Sequence, residues 1–165
     1  MTTQSPNPSW KPGDRISSPV REFTSIDPEN LSAQERYKLL IGCVVPRPIA
    51  FVSTINIKGE GNLAPYSFFT GISSNPMCVA ISVGAKSTWL VEPLVFSAAE
   101  FPYGLNELEK VGLTPLASMK VKPVRVRESA WSFECVTHQL VPVGDGGLGS
   151  SVLVIGKVVA VHISS

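Results

Sequence analysis

Two long runs of β-branched and aromatic residues, Trp131 to Val143 and Ser151 to Ile163, constrain the fold of this chain more than any other feature. Such a composition favours β-strands, and the glycines of the stretch Gly144 to Gly149 between the runs are typical of a hairpin loop. We therefore predict a long antiparallel hairpin. Because the sequence does not alternate such strands with full-length helices, it favours a closed or partly open β-barrel over a parallel sheet.

Shorter strands are predicted in the first half of the sequence. Residues Ile49 to Ile55 are β-branched and aromatic, and the polar turn Asn56 to Gly61 that follows has the glycines of a hairpin. A second strand should follow this turn. Residues Met77 to Val83 have the composition of another short, buried strand, so the sequence indicates a mainly β domain.

Helices are predicted to be few and brief. Ser32 and Glu35 have the spacing of a capping box, and apolar residues at helical spacing follow, so a short amphipathic helix should run from here and end before Pro46. A further helical turn or two is expected over Asn106 to Val111. The apolar positions of the first helix are Tyr37, Leu40 and Ile41.

The composition predicts one folded domain preceded by an extended arm. A chain of 165 residues with 44% hydrophobic residues can bury a single core. Residues 1–21 are rich in proline, serine, threonine and asparagine and should form an arm without a core, which leaves 22–165 as the domain. Trp10 in the arm is expected either to dock on the domain or a partner subunit, or to remain solvated.

The charge balance narrows the partners that this chain can have. With 14 Lys and Arg against 13 Asp and Glu, the net charge is +1, which supplies no broad attraction for nucleic acid or an anionic membrane. Charged residues make up 16% of the chain, compared with about 25% in typical soluble domains, so we expect a second subunit to cover apolar surface. No apolar run reaches the roughly 18 residues that a membrane span requires.

The three cysteines, Cys43, Cys78 and Cys135, are widely spaced and include no Cys-x-x-Cys pair for zinc or redox chemistry. We expect buried free thiols in a reducing compartment, and no metal site. The first 21 residues contain no apolar stretch that would act as a secretory signal, which favours a cytoplasmic location.

Motifs of familiar catalytic sites are either absent or in the wrong context. The stretch Gly144 to Gly149 has the spacing of a dinucleotide-binding glycine loop, but the β-branched run after it favours a hairpin loop instead. His138 and His162 lie in predicted strands, where a hydrogen-bonded structural histidine is more common than a catalytic one. No hydrolytic acid–base machinery is visible, and no catalytic side chain is predicted.

The most specific feature is a pair of linked motifs. Residues Pro46 to Thr54 read PRPIAFVST, and after a short interval Asn62 to Phe69 read NLAPYSFF. These segments resemble the PRPIAFVST and NLAPFSFF signatures of the flavin reductase-like, FMN-binding split-barrel family, and the resemblance spans about residues 22–163. Later landmarks of that family occur in the same order at Ser97 to Pro102, Gly104, Glu107, Glu134-Cys135 and Val154 to Gly156.

The resemblance implies a mainly β fold, an FMN-binding split β-barrel of the Greek-key type with short helices. It also implies an oxidoreductase that takes hydride from NADH or NADPH onto FMN and passes electrons to an acceptor protein or small molecule. The family further implies a homodimer with the flavin near the subunit interface. Because the flavin carries the hydride chemistry, the lack of catalytic side chains is expected. Two alternatives stay open at this point: a non-enzymatic electron carrier of the flavoredoxin type, and a cofactor-free β-barrel interaction module.

The two motifs and a nearby lysine offer groups that suit FMN. Phosphate is bound by hydroxyls, backbone N–H groups and cations. The candidate cations are Arg47 and Lys86, and the candidate hydroxyls are those of Ser53, Thr54 and Thr88. The isoalloxazine ring is bound by a flat apolar wall with backbone groups in reach, as in the second motif. Phe68 and Phe69 are equally compatible with an ordinary core, and Arg47 with a surface position. The candidate cofactor-binding residues are Arg47, Ser53, Thr54, Asn62, Leu63, Ala64, Ser67, Phe68, Phe69, Lys86 and Thr88.

The sequence departs from the family pattern in one central segment. Only 12 residues separate Gly84 from Ser97, where family members have a longer stretch with a Lys-Asp-Thr element, a helix and a strand. Residues 86–88, Lys-Ser-Thr, match that element with its acid replaced by serine, and the usual family tail does not follow Ser165. We therefore expect an incomplete barrel, since a missing strand leaves unpaired edges.

Overall fold

The computed structural model describes residues 9, 11–14, 24–84 and 112–164. Several predictions fall outside these residues. They concern Trp10, nearly all of the N-terminal arm, the shortened central segment, and the helix over Asn106 to Val111.

The chain divides into two units, Met1–Leu31 and Ser32–Ser165. The described part of the first unit contains a 3₁₀ turn at Pro28–Asn30. The Asp27 carboxylate caps this turn by accepting a hydrogen bond from the Glu29 amide at 3.0 Å. The second unit holds the β structure and both family motifs.

The helix α1 spans Ala33–Cys43 and begins with the predicted capping box. The Ser32 hydroxyl accepts a hydrogen bond from the Glu35 amide at 3.3 Å, and the Glu35 carboxylate accepts one from the Ser32 amide at 2.9 Å. The helix is confirmed, but its apolar side is not buried as the amphipathic pattern predicts. Tyr37 and Leu40 are both exposed.

The regular secondary structure in the rest of the described chain is β. Its strands are β1 (Ala50–Ile55), β2 (Gly61–Tyr66), β3 (Phe69–Ser74), β4 (Met77–Gly84), β5 (Pro115–Leu116), β6 (Arg125–Val126), β7 (Trp131–Val143) and β8 (Ser151–Ile163). They form three antiparallel sheets: β1 with β2, a four-stranded sheet in the order β3-β4-β8-β7, and β5 with β6. These sheets do not close into one barrel, which agrees with the partly open form of the predicted fold.

The long hairpin of β7 and β8 has the strand bounds that the sequence predicts. The register places Val143 opposite Ser151 next to the glycine-rich loop. Along its other edge β8 pairs with β4, so that Gly84 also lies opposite Ser151. β8 is therefore the strand through which the two hairpins of this sheet are joined.

The hydrophobic core lies between the β1–β2 pair and the four-stranded sheet. Its buried centre consists of Ile81 and Val83 on β4 and Val154 on β8. Ala50 and Val52 pack against this centre, which means that one face of β1 is turned toward the core. The first family motif therefore lies directly beside the core.

The cysteines differ from the prediction at one position. Cys78 is buried and Cys135 is half-buried, but Cys43 is exposed at the end of α1, a helix without buried residues. Burial raises the pKa of the Cys135 thiol to about 11, with a further contribution from the neighbouring Cys78.

Within the described ranges, no helix has the length and apolarity needed to cross a membrane. The same residues contain no group of three His, Cys, Asp or Glu side chains arranged to hold a metal ion.

Candidate functional site

The two family motifs form the paired strands β1 and β2. In their antiparallel register, Thr54 lies opposite Asn62 and Val52 lies opposite Ala64. Because side chains alternate along a strand, Thr54 and Asn62 are on the same face of the pair as Val52, which packs against the core. The hairpin thus brings two polar candidate residues together.

Two buried polar atoms on this cross-strand pair have no hydrogen-bond partner in the part of the chain that the structure describes. They are Oγ1 of Thr54 and Nδ2 of Asn62. Buried polar groups are nearly always hydrogen-bonded, since an unpaired one costs about 1–3 kcal/mol. A hydroxyl and an amide group in this situation are suited to bind the acceptor atoms of a ligand.

Ser53 lies on the opposite face of β1 from Thr54. Its hydroxyl donates a hydrogen bond to the carbonyl oxygen of Val124, which ties β1 to the segment that leads into β6. Both Ser53 and Thr54 are among the cofactor-binding candidates that the sequence predicts. The alternation of the strand separates them, so that only Thr54 lies beside Asn62.

The Arg47 side chain contacts Tyr37 on α1 and residues of the turn after β2. Its Nε donates to the Ser67 carbonyl at 3.3 Å, and its Nη2 donates to the Ser67 hydroxyl and, at 3.1 Å, to the Tyr37 hydroxyl. The guanidinium carbon lies 5.8 Å from the ring centre of Tyr37 and 5.6 Å from that of Phe68. Arg47 therefore connects α1 to the turn between β2 and β3.

The remaining candidates of the second motif divide between core and surface. Leu63 and Ala64 are buried, and Phe69 packs against the core from the start of β3. Phe68 is exposed, and its ring meets that of Tyr37 edge to face at a centroid distance of 6.0 Å. Of the two phenylalanines, Phe69 takes the core position and Phe68 presents its ring at the surface.

Lys86 and Thr88 lie outside the described residues, and their phosphate contacts stay predictions from the sequence. Among the described candidates, the structure brings together Thr54, Asn62 and Ala64 on one face of the β1–β2 pair. Arg47, Ser67 and Phe68 form a second group, centred on the Arg47 guanidinium.

Comparison with solved structures identifies the family. Nitrilotriacetate monooxygenase component B from Bacillus cereus matches with a TM-score of 0.75 at 28% identity, over 88% of this chain and 83% of that one. The 2-nitrobenzoate 2-nitroreductase NbaA of Pseudomonas fluorescens gives a TM-score of 0.70 at 25% identity, over 86% and 77% of the two chains. A Shewanella frigidimarina protein described as a flavin reductase with a split barrel domain shares the fold, with a TM-score of 0.70 at 15% identity over 88% of this chain and 81% of that one. This chain belongs to the flavin reductase-like split-barrel family.

A relative found by sequence is an uncharacterised protein of Aquifex aeolicus, which is 39% identical over 132 residues. The match covers 66% of this chain and 67% of the relative. No family model matches the chain. The family assignment confirms the resemblance that the PRPIAFVST and NLAPYSFF motifs carry.

A buried charged centre in this split-barrel protein was not among the sequence candidates. Glu134 on β7 is only 1% exposed and accepts hydrogen bonds from the amides of Met119 and Lys120 at 2.8 and 2.6 Å. His162 Nε2 lies 2.7 Å from the same carboxylate, and Arg125 Nε lies 3.8 Å from it. Burial alone would raise the pKa of Glu134, but these hydrogen bonds outweigh it and lower the pKa to about 2.

Only an indirect signal of this centre is present in the sequence. Glu134 is a lone acid in an apolar strand, where it served as a landmark of the split-barrel family. His162 is confirmed as a hydrogen-bonded strand histidine, whereas His138 is exposed on β7.

Proposed function

We propose that this chain is an FMN-binding oxidoreductase that takes hydride from NADH or NADPH onto the bound flavin and passes the electrons to an acceptor. The observation that carries the proposal is the cross-strand pair of Thr54 and Asn62. Their buried polar atoms have no partner within the described residues and belong to motifs of a flavin reductase-like family. Two of the solved relatives are named as a monooxygenase component and a nitroreductase, which supports an oxidoreductase.

The groups on this strand pair suit FMN, because both its phosphate and its isoalloxazine ring present acceptor atoms. The Asn62 amide and the Thr54 hydroxyl would donate hydrogen bonds to such acceptors, beside the buried Ala64. The flavin, when bound, supplies the hydride and electron transfer. The part left to the chain is to bind and orient the cofactor.

Replacing Thr54 with valine should weaken FMN binding by roughly 2- to 12-fold, since one neutral hydrogen bond contributes about 0.5–1.5 kcal/mol. The flavin-free protein should not lose stability, because the change removes a buried hydroxyl that lacks a partner among the described residues. Fluorescence titration measures the affinity for FMN, and thermal unfolding measures the stability of the flavin-free protein.

Thr137→Val is the matched control, because Thr137 is an exposed threonine on β7 in the other sheet. It should leave the affinity for FMN unchanged. Colourless wild-type protein that fails to quench FMN fluorescence even at high FMN would contradict the proposed function itself. Oxidation of NADH or NADPH by the FMN-loaded protein distinguishes a reductase from an electron carrier of the flavoredoxin type.

We also propose a homodimer with the flavin near its interface. The register of β7 and β8 places Trp131 opposite Ile163 and Phe133 opposite Val161, so that four apolar side chains share one face. Trp131 and Ile163 are each 60% exposed, and contiguous apolar surface of this kind commonly marks an interaction site. The low charged fraction of 16% supports the same proposal.

Light scattering at micromolar concentration should give twice the mass of one chain. Trp131→Lys should shift the protein toward the monomer, because it places a charge in the apolar face that the partner would cover. Leu148→Lys, in the exposed loop between β7 and β8, is the control and should leave the dimer intact. A wild-type mass equal to one chain would count decisively against the dimer.

A further inference from the structure

A cleft with a volume of about 450 Å³ is lined by the β5–β6 hairpin and the adjoining ends of β7 and β8. Sites for small ligands occupy roughly 300–1,000 Å³, so this cleft is large enough for one. None of its lining residues is a flavin candidate, and the described lining contains no carboxylate. The polar lining consists of Arg125, Arg127, Ser129, Ser132, His162 and Ser164.

Two of the basic side chains in this cleft lie beside the buried Glu134. Arg125 Nε lies 3.8 Å from the carboxylate, and its Nη2 donates to the Ala117 carbonyl at 3.1 Å. His162 Nε2 lies 2.7 Å from the same carboxylate. Because these side chains are fixed before a ligand arrives, little ordering is left to oppose binding.

Arg127 supplies the exposed cation of the cleft. Its backbone amide donates to the Thr114 carbonyl at 2.9 Å, which fixes its position after β6. The neighbouring Glu128 does not line the cleft, since its carboxylate accepts hydrogen bonds from the Thr114 amide at 3.1 Å. Glu128 is close enough to Arg127 for the two charges to interact. The lining itself, however, presents two guanidiniums and His162 without a carboxylate.

We propose that this cleft binds the phosphate group of a small ligand, at a site separate from the flavin motifs. Each guanidinium presents several N–H donors, and the hydroxyls of Ser132 and Ser164 add to them. Phosphate, with three terminal oxygens, uses more of these donors than a carboxylate with two. Leu116 and Val126 in the same lining offer apolar contact to the uncharged part of an organic phosphate. The inference does not depend on flavin binding.

The test measures the binding of inorganic pyrophosphate to the whole chain by isothermal titration calorimetry, with and without FMN. We expect one saturable site, weakened about tenfold or more by Arg127→Gln, because that change removes charge-assisted hydrogen bonds. Arg127 is exposed, so its replacement should not unfold the protein. Arg36→Gln removes an exposed guanidinium from α1 and should bind pyrophosphate like the wild type.

Three results of the pyrophosphate titrations would overturn the proposal. They are the absence of saturable binding at millimolar pyrophosphate, equal weakening by the two arginine variants, and competition between pyrophosphate and FMN for one site. Malonate, which carries two carboxylates, should bind more weakly than pyrophosphate, and equal or tighter binding would also refute the assignment to phosphate. One series of titrations contains no FMN. A failure of the cleft to bind pyrophosphate is therefore distinguishable from a failure of the protein to bind FMN.

Discussion

Glu134→Gln should lower the Tm of the protein by roughly 5–10 °C, because it disrupts a fully buried hydrogen-bond centre. The carboxylate accepts hydrogen bonds from the amides of Met119 and Lys120, and a glutamine side chain would turn an N–H donor toward one of these donors. Thermal unfolding at neutral pH measures the effect. Glu29→Gln, at an exposed acid in the 3₁₀ turn, is the control and should leave the Tm unchanged.

The same carboxylate should give the protein a specific sensitivity to acid. In the folded chain the pKa of Glu134 is about 2, compared with 4.5 ordinarily, so the folded state favours the ionised form. The stability that this provides is complete above the ordinary pKa and is lost as the pH falls from about 4.5 toward 2. Between these values the Tm of the wild type should fall more steeply than that of Glu134→Gln. Parallel curves for the two proteins would show that Glu134 is not the responsible group.

Arg47→Met should weaken the binding of FMN and of riboflavin by about the same factor, roughly tenfold. The reason is that the guanidinium hydrogen-bonds to Ser67 and Tyr37 and lies against the Phe68 ring, so it positions a segment of the second motif. Disorder of that segment should affect both ligands, since they share the isoalloxazine ring. Parallel fluorescence titrations with the two flavins measure the effect.

Riboflavin supplies the control for this experiment, because it lacks the phosphate of FMN. A loss of affinity confined to FMN would assign Arg47 to the phosphate, as the sequence suggested. Tyr37→Phe removes one hydrogen bond of the same group and should weaken both flavins by a smaller factor than Arg47→Met.

Local signals in the sequence predicted much of the fold. The capping box of Ser32 and Glu35 and the β-branched runs of β7 and β8 need only neighbouring residues to be interpreted. The strand β3 was not predicted, because Gly71 and the serines at its end have low strand propensity and β4 provides the pairing that makes it a strand. The two-residue strands β5 and β6 are too short to have a pattern of their own.

In the candidate site, too, some contacts could be predicted from neighbouring residues, whereas others depend on residues that are distant in the sequence. The family motifs identified Thr54 and Asn62 as candidates, and a hairpin turn is enough to place them opposite each other. The donors to Glu134 could not be inferred, because the amides of Met119 and Lys120 come from an irregular segment whose position depends on the folded chain. For the same reason, nothing in the sequence indicated that Arg127 would share a cleft with His162.

The central place of β8 in the four-stranded sheet has a consequence for how the chain reaches its fold. The β3–β4 and β7–β8 hairpins join residues that are close in sequence and can form early, but they meet only when β8 docks on β4. That docking closes the long loop from Gly84 to Ser151. The loop loses conformational entropy before the new strand contacts compensate for this loss. Refolding should therefore wait on the meeting of the two hairpins. During that interval the bare edge of β4 can pair with other chains, so aggregation should compete with refolding as protein concentration rises.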